Sequence, residues 1–95
     1  MQTYRLSIAA KEDLRRIYEY GYHAFGAKHA DAYFLGFFQI FDEIAAHPLR
    51  YPAVNHIRNG YRRCAYKADT IYYRINNKTV EIMAILGEQD IDEWL

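Results

Sequence analysis

The sequence predicts an α+β fold: an N-terminal strand, a helical hairpin, then a three-stranded antiparallel β-meander, forming one sheet. Two observations carry this. Residues 57–86 hold three short runs of alternating side-chain character, Tyr61–Tyr66, Thr70–Ile75 and Thr79–Leu86. Lys67-Ala68-Asp69 and Asn76-Asn77-Lys78 separate them as polar breaks. Upstream, two stretches repeat apolar residues at helical spacing and stop at His47-Pro48, where the residue before proline disfavours the α conformation.

Taken in order, Tyr4, Leu6 and Ile8 alternate with Thr3, Arg5 and Ser7, which predicts a short strand with one apolar face. Ser7 is placed to start a helix over 9–25, with Leu14, Ile17, Tyr18, Gly21 and Phe25 on its apolar side. Glu12 precedes Arg16 by four positions, a favourable surface pairing. Gly26 breaks the pattern. A second helix, about 28–46, presents Ala30, Tyr33, Phe34, Phe37, Phe41, Ile44 and Ala45, with Phe38 widening the stripe. Gly21 and Gly36 either let the two helices approach closely or mark imperfect helix. Residues 48–56 read as a loop. Asn76-Asn77 is suited to a tight hairpin, because Asn tolerates positive φ. In the strands, Ile71, Tyr73 and Ile75 are expected on one face and Tyr72 and Arg74 on the other. Val80, Ile82, Ala84 and Leu86 are expected on one face of the last strand. Met83 and Ile85 make its other face apolar too, which points to a central strand.

Ninety-five residues predict a single domain, 1–95. Formal net charge is zero, which argues against a general nucleic-acid coat. The distribution is uneven. Residues 48–86 carry seven Lys/Arg against two Asp/Glu, whereas 87–95 carry four acids and no base. A basic sheet is therefore followed by an acidic tail, 88–95, whose acids either fold back on the basic face with Trp94 as an anchor or form a frayed terminus. Cys64 is the only cysteine, so no intrachain disulfide forms, and a buried structural thiol is the plain reading. The opening residues lack the apolar core of a signal peptide, and no run is long enough to span a bilayer. A cytoplasmic protein is expected, with no membrane association.

The residues offer little for nucleophilic chemistry. Ser7 is the only serine, and His23, His29, His47 and His56 match no metal-ligand spacing. No catalytic residue, metal or cofactor is expected. The notable set is Arg58, Tyr61, Arg62, Arg63, Tyr72 and Arg74, together with Tyr66 and Lys67. Arg and Tyr interleaved in this way suit a solvated sheet face, a protein interface or an RNA contact. The residues alone leave all three open.

Several ordered segments resemble the ParE/RelE toxin superfamily, and its ParE-type branch in particular. They are Leu6-Ser7, Asp13-Leu14, Ile17-Tyr18-Glu19-Tyr20, His47-Pro48, Ile57-Arg58-Asn59-Gly60-Tyr61-Arg62, Ile71-Tyr72-Tyr73-Arg74-Ile75 and Val80–Leu86. The resemblance implies a bacterial type II toxin–antitoxin module serving plasmid or chromosome maintenance. It also implies a ParD-like antitoxin as partner in a hetero-oligomer, DNA gyrase as target, and no sequence-specific nucleic acid. RelE-type relatives instead cut mRNA on the ribosome. That work requires basic groups and a Tyr near the end of the last strand, where this chain turns acidic at Gly87-Glu88-Gln89-Asp90. The gyrase branch is therefore the first expectation, with the RelE-like mRNA endonuclease as the alternative. Antitoxin or target binding is assigned to Arg58, Tyr61, Arg62, Arg63, Tyr72 and Arg74. Relatives commonly carry a His and an Arg just after the last strand, where Gly87 and Gln89 stand here.

Overall fold

A computed structural model describes residues 3–87. The order is β1 (Thr3–Leu6), α1 (Ile8–Phe25), α2 (Ala27–Ala46), β2 (Tyr61–Tyr66), β3 (Asp69–Asn76) and β4 (Thr79–Leu86). The strands form one sheet in the order β1-β4-β3-β2. β2, β3 and β4 make the expected antiparallel meander, and β1 lies parallel to β4. The interior position of β4 explains why it is apolar on both faces.

Ser7 organises the first corner. Its N–H donates to Ile82 O at 3.0 Å, which continues the β1–β4 ladder one step past Leu6. Its Oγ accepts the Ala10 N–H at 3.0 Å and so caps α1, satisfying one of the orphan donors at the helix start. The same hydroxyl donates to Met83 O at 3.0 Å. The strand is therefore shorter than the alternation of Tyr4, Leu6 and Ile8 predicts: Ile8 opens the helix and is 82% exposed. At the far end of α1, Gly26 takes φ +95° and joins the helices directly. Phe25, expected on the buried stripe, is 64% exposed because the helix ends before it can reach the core.

The helical hairpin covers one sheet face. Leu14, Ile17, Phe37, Phe41 and Ile44 meet Cys64, Ile71, Tyr73, Val80, Ile82 and Ile85 in one buried cluster. Phe37 and Phe41 are completely buried; burying a Phe side chain stabilises the fold by roughly 1.5–3 kcal/mol. Gly21 faces Ala30, and a Cβ there would lie 3.6 Å from the Ala30 Cβ, so this glycine does sit at the helix–helix contact. Gly36 serves a different neighbour. A Cβ at 36 would overlap the Tyr66 hydroxyl and lie 2.8 Å from Tyr66 Cζ, so the small residue admits a β2 side chain. The surface pairs also differ from expectation. Arg15 contacts both Glu12 and Glu19 at 2.8 Å, while Arg16 lies 3.5 Å from Asp13.

Two turns and one bulge set the register. The β3–β4 turn is Asn77-Lys78, one residue later than predicted, with Asn77 at φ +58°. Lys67 takes φ +53° in the β2–β3 turn. Tyr72 pairs with Ala84 but Tyr73 with Ile82, leaving Met83 as an extra residue in a β-bulge. The bulge reverses the alternation. Val80 and Ile82 face the helices, and so does Ile85, while Ala84 and Leu86 belong to a second cluster on the outer face. The expectation that Val80, Ile82, Ala84 and Leu86 share one face fails at that residue.

The outer cluster is closed by the segment between α2 and β2. Val54 is buried there beside Tyr72, Ala84 and Leu86, with Ile57 and Tyr61 packed against them. Backbone bonds fasten the segment to β2: the Val54 N–H donates to Tyr61 O at 2.8 Å, and the Arg63 N–H to Pro52 O at 3.1 Å. The loop expected over 48–56 thus covers part of the sheet.

Candidate functional site

The outer sheet face carries a row of charge across neighbouring strands. Arg5 on β1 lies opposite Glu81 on β4, Glu81 opposite Arg74 on β3, and Arg74 opposite Tyr61 on β2. Glu81 is only 8% exposed. Its Oε2 accepts from Arg5 Nε at 2.9 Å and its Oε1 from Arg74 Nε at 2.7 Å. The two guanidinium groups, Arg74 first, hold the Glu81 carboxyl below the usual carboxylate range. A nearly buried carboxylate shared by two half-exposed arginines fixes both side chains, and the row keeps a net positive charge.

Arg63 and Tyr72 extend this face. They are direct cross-strand neighbours, and Tyr72 is 3% exposed beneath the covering segment. Burial raises the Tyr72 phenol, while Arg63 acts against that rise. Of the residues singled out from the sequence, Tyr61, Arg63, Tyr72 and Arg74 therefore share one face. Arg62 does not. It points to the helix side, and its Nη1 donates to Tyr51 O at 2.7 Å. Arg58 lies in the covering segment, where its N–H donates to Val54 O at 3.0 Å. Arg5 and Glu81 were missed from the sequence. Their 76-residue separation hides a contact that only the parallel β1–β4 register creates.

The tyrosines are engaged as structural donors. Tyr33 donates to Asp69 at 2.7 Å, Tyr66 to Tyr33 O at 3.2 Å, and Tyr73 to Pro48 O. Burial is the leading cause that raises the phenols of Tyr33, Tyr66 and Tyr73 above their ordinary value. Such groups hold their protons more firmly, the reverse of what a general base requires. Cys64 is buried mid-strand, and burial raises its thiol as well. The sequence reading of a structural thiol agrees with that placement.

The helix side offers a different surface. A groove of about 570 Å³ runs along Leu6, Leu14, Tyr18, Phe34 and Phe38, where α1 and α2 leave their apolar flanks uncovered. Tyr18 closes one wall, its ring 5.6 Å from Phe34 and its hydroxyl donating to Asp31 at 2.7 Å. No helix among the described residues is long and apolar enough to cross a membrane.

Comparison with known proteins agrees with the sheet and hairpin just described. Residues 4–91 match the family model of the ParE toxin of the type II toxin–antitoxin system parDE. The chain belongs to the ParE toxin family. Toxin ParE1 of Caulobacter vibrioides is 36% identical over 88 residues, covering 93% of this chain and 91% of that one. Toxin ParE1 of Mycobacterium tuberculosis is 31% identical over 94 residues, covering 97% and 96%. A solved structure of the chromosomal ParDE TA system from P. aeruginosa superposes with a TM-score of 0.81. It covers 92% of this chain and 96% of its own at 16% identity, which speaks to the fold. In this ParE-family chain the Leu6-Ser7 and Asp13 positions form the corner where β1, α1 and β4 meet.

Proposed function

We propose that this ParE-family toxin inhibits DNA gyrase by binding it directly, and that a ParD-like antitoxin neutralises it in a cytoplasmic hetero-oligomer. The observation that favours binding over catalysis is Glu81 between Arg5 and Arg74. An RNA-cleaving site needs open cations for the phosphate and a group ready to take a proton. Here the two guanidinium groups of the row already hold a carboxylate, and the partly buried Tyr33 and fully buried Tyr73 resist ionisation. The face is left as a rigid, mildly basic surface, well suited to an acidic protein segment. The apolar groove of the hairpin takes the apolar side of an amphipathic antitoxin helix.

Expressing the chain without an antitoxin in bacteria tests the reading. Growth should stop with cleaved DNA accumulating, and the purified toxin should lower gyrase supercoiling in a dose-dependent way. Co-expression of a ParD-like partner should restore growth. Unimpaired supercoiling, or new mRNA ends with translating ribosomes, would overturn the gyrase assignment.

A further inference from the structure

The two arginines of the outer-face row are held by Glu81 in different ways. Arg5 uses both Nε and Nη2 on Glu81 Oε2, whereas Arg74 meets Oε1 through Nε alone. Neither Nη1 nor Nη2 of Arg74 donates to Glu81, so the planar fork at the tip of that guanidinium is not used within the row. The Arg5 and Arg74 side chains are 61% and 45% exposed over the nearly buried carboxylate. Ordering a long side chain normally weighs against binding at the moment a partner arrives. Here Arg74 is already fixed on folding, by a 2.7 Å bond between neighbouring strands.

The charge of the row is equally defined. Two guanidinium groups against one carboxylate leave a single positive charge, which one further carboxylate neutralises. A nucleic-acid strand asks instead for a track of cations along its phosphates. To one side of the row, the same face carries Thr3, Thr79 and Asn76, none of them charged. To the other side the cation is Arg63, which is engaged by Tyr72.

We propose that the Arg5–Glu81–Arg74 row is a receptor for one carboxylate, the Asp or Glu side chain of an acidic protein segment. Arg74 is its specificity-determining residue, and Glu81 is a positioning residue that sets the guanidinium. The inference rests on the reading of the outer face as a protein-binding surface, and on residues of β1, β3 and β4 alone. The acidic tail, 88–95, with its two expected arrangements, lies outside the described residues, and the site is built without it.

Titrating the full chain with hexaglutamate, and following the arginine Nε–H resonances by NMR, tests the site. Neither gyrase nor antitoxin is present, so this inference and the gyrase reading fail separately. The expected result is a saturable shift at Arg5 and Arg74, with none at Arg15, which bridges Glu12 and Glu19 on α1. Arg74→Lys keeps the charge and removes the fork. It should weaken hexaglutamate binding about tenfold, as the loss of one charge-assisted hydrogen bond does. Arg15→Lys should leave the affinity unchanged. Circular dichroism checks the fold of each variant, and Arg5→Lys on the edge strand, which should weaken binding too, decides the matter if Arg74→Lys does not fold. Equal affinities for the parent and the row variants would overturn the proposal, by reducing the face to diffuse attraction. Tighter binding of hexathymidylate than of hexaglutamate at one ionic strength would do so too, by assigning the row to phosphates.

Discussion

The Asp13 carboxylate on α1 accepts the backbone N–H of Ile85 on β4 at 2.9 Å. β1 pairs with β4 only as far as Ile82, so among the described residues the rest of that β4 edge has no strand beside it. Side chains from the α1 corner replace the missing strand: Ser7 Oγ donates to Met83 O, and Arg16 Nη2 donates to Ile85 O at 3.2 Å. Asp13→Ala leaves a partly buried donor unpaired and removes the neighbour of Arg16. It should lower stability by about 1–3 kcal/mol. Asp13→Asn keeps an acceptor oxygen and should recover most of the loss. Urea unfolding midpoints of the three proteins decide it; an unchanged midpoint for Asp13→Ala would mean the bond contributes nothing.

Gly36 and Tyr66 make a second coupled pair. The Tyr66 ring is held between Tyr33 and Phe37, at centroid distances of 5.3 and 4.6 Å, so it cannot swing aside without losing both contacts. Alanine is the better helix former, yet its methyl would meet the Tyr66 hydroxyl. Gly36→Ala should therefore destabilise, by about 1–2 kcal/mol, through overpacking. Adding Tyr66→Phe removes the overlapping oxygen but keeps Cζ at 2.8 Å and loses the bond to Tyr33 O, so it should recover only part of the loss. A thermal melt series of the single and double variants measures the coupling.

The periodic elements were legible because each repeats one rule. Phe37, Phe41 and Ile44 recur at helical spacing, and Ile71, Tyr73 and Ile75 at strand spacing. The bulge was not legible, because Ile82-Met83-Ala84-Ile85-Leu86 is apolar at every position and carries no parity signal. Asn76 and Asn77 both tolerate a turn, so composition left the hairpin free by one residue. Val54 and Ile57 belong to no repeating pattern, and their cover of Tyr72 emerged only with the fold. The candidate site divided along the same line. Alternation separates Arg62 from Tyr61 and Arg63, but the Arg5–Glu81 contact depends on a parallel register that short strands do not announce.

Glu81 gives a pH dependence of definite sign. Its folded carboxyl titrates below the ordinary value, so folding favours the charged form. Its contribution is whole above about pH 4.3, declines as pH falls toward the lower folded value, and vanishes beneath it. Glu81→Gln should be less stable than the parent at neutral pH, with the gap closing in acid. The same change releases Arg5 and Arg74 from their shared carboxylate. Binding to a polyanion such as single-stranded RNA should then strengthen, and its log-affinity against log-salt slope should steepen by about 0.7–1.4. A salt titration by fluorescence anisotropy reads this directly; an unchanged slope would mean the arginines stay committed elsewhere.

Tyr33 sets the alkaline limit from the other side. Burial first, then its hydrogen bond to Asp69, raises its phenol above the ordinary value. The folded chain therefore holds a proton that the unfolded chain releases. Stability from this group is whole below about pH 10 and is lost as pH rises above it. Tyr33→Phe removes the bond to Asp69 and should cost about 1 kcal/mol at neutral pH, the bond being only partly buried. It also removes the titration, so the variant should lose stability less steeply in alkali, and the two curves should converge. Urea midpoints at neutral and alkaline pH test both halves. Parallel curves would show that ionisation of Tyr33 is not linked to unfolding, whatever the hydrogen bond contributes.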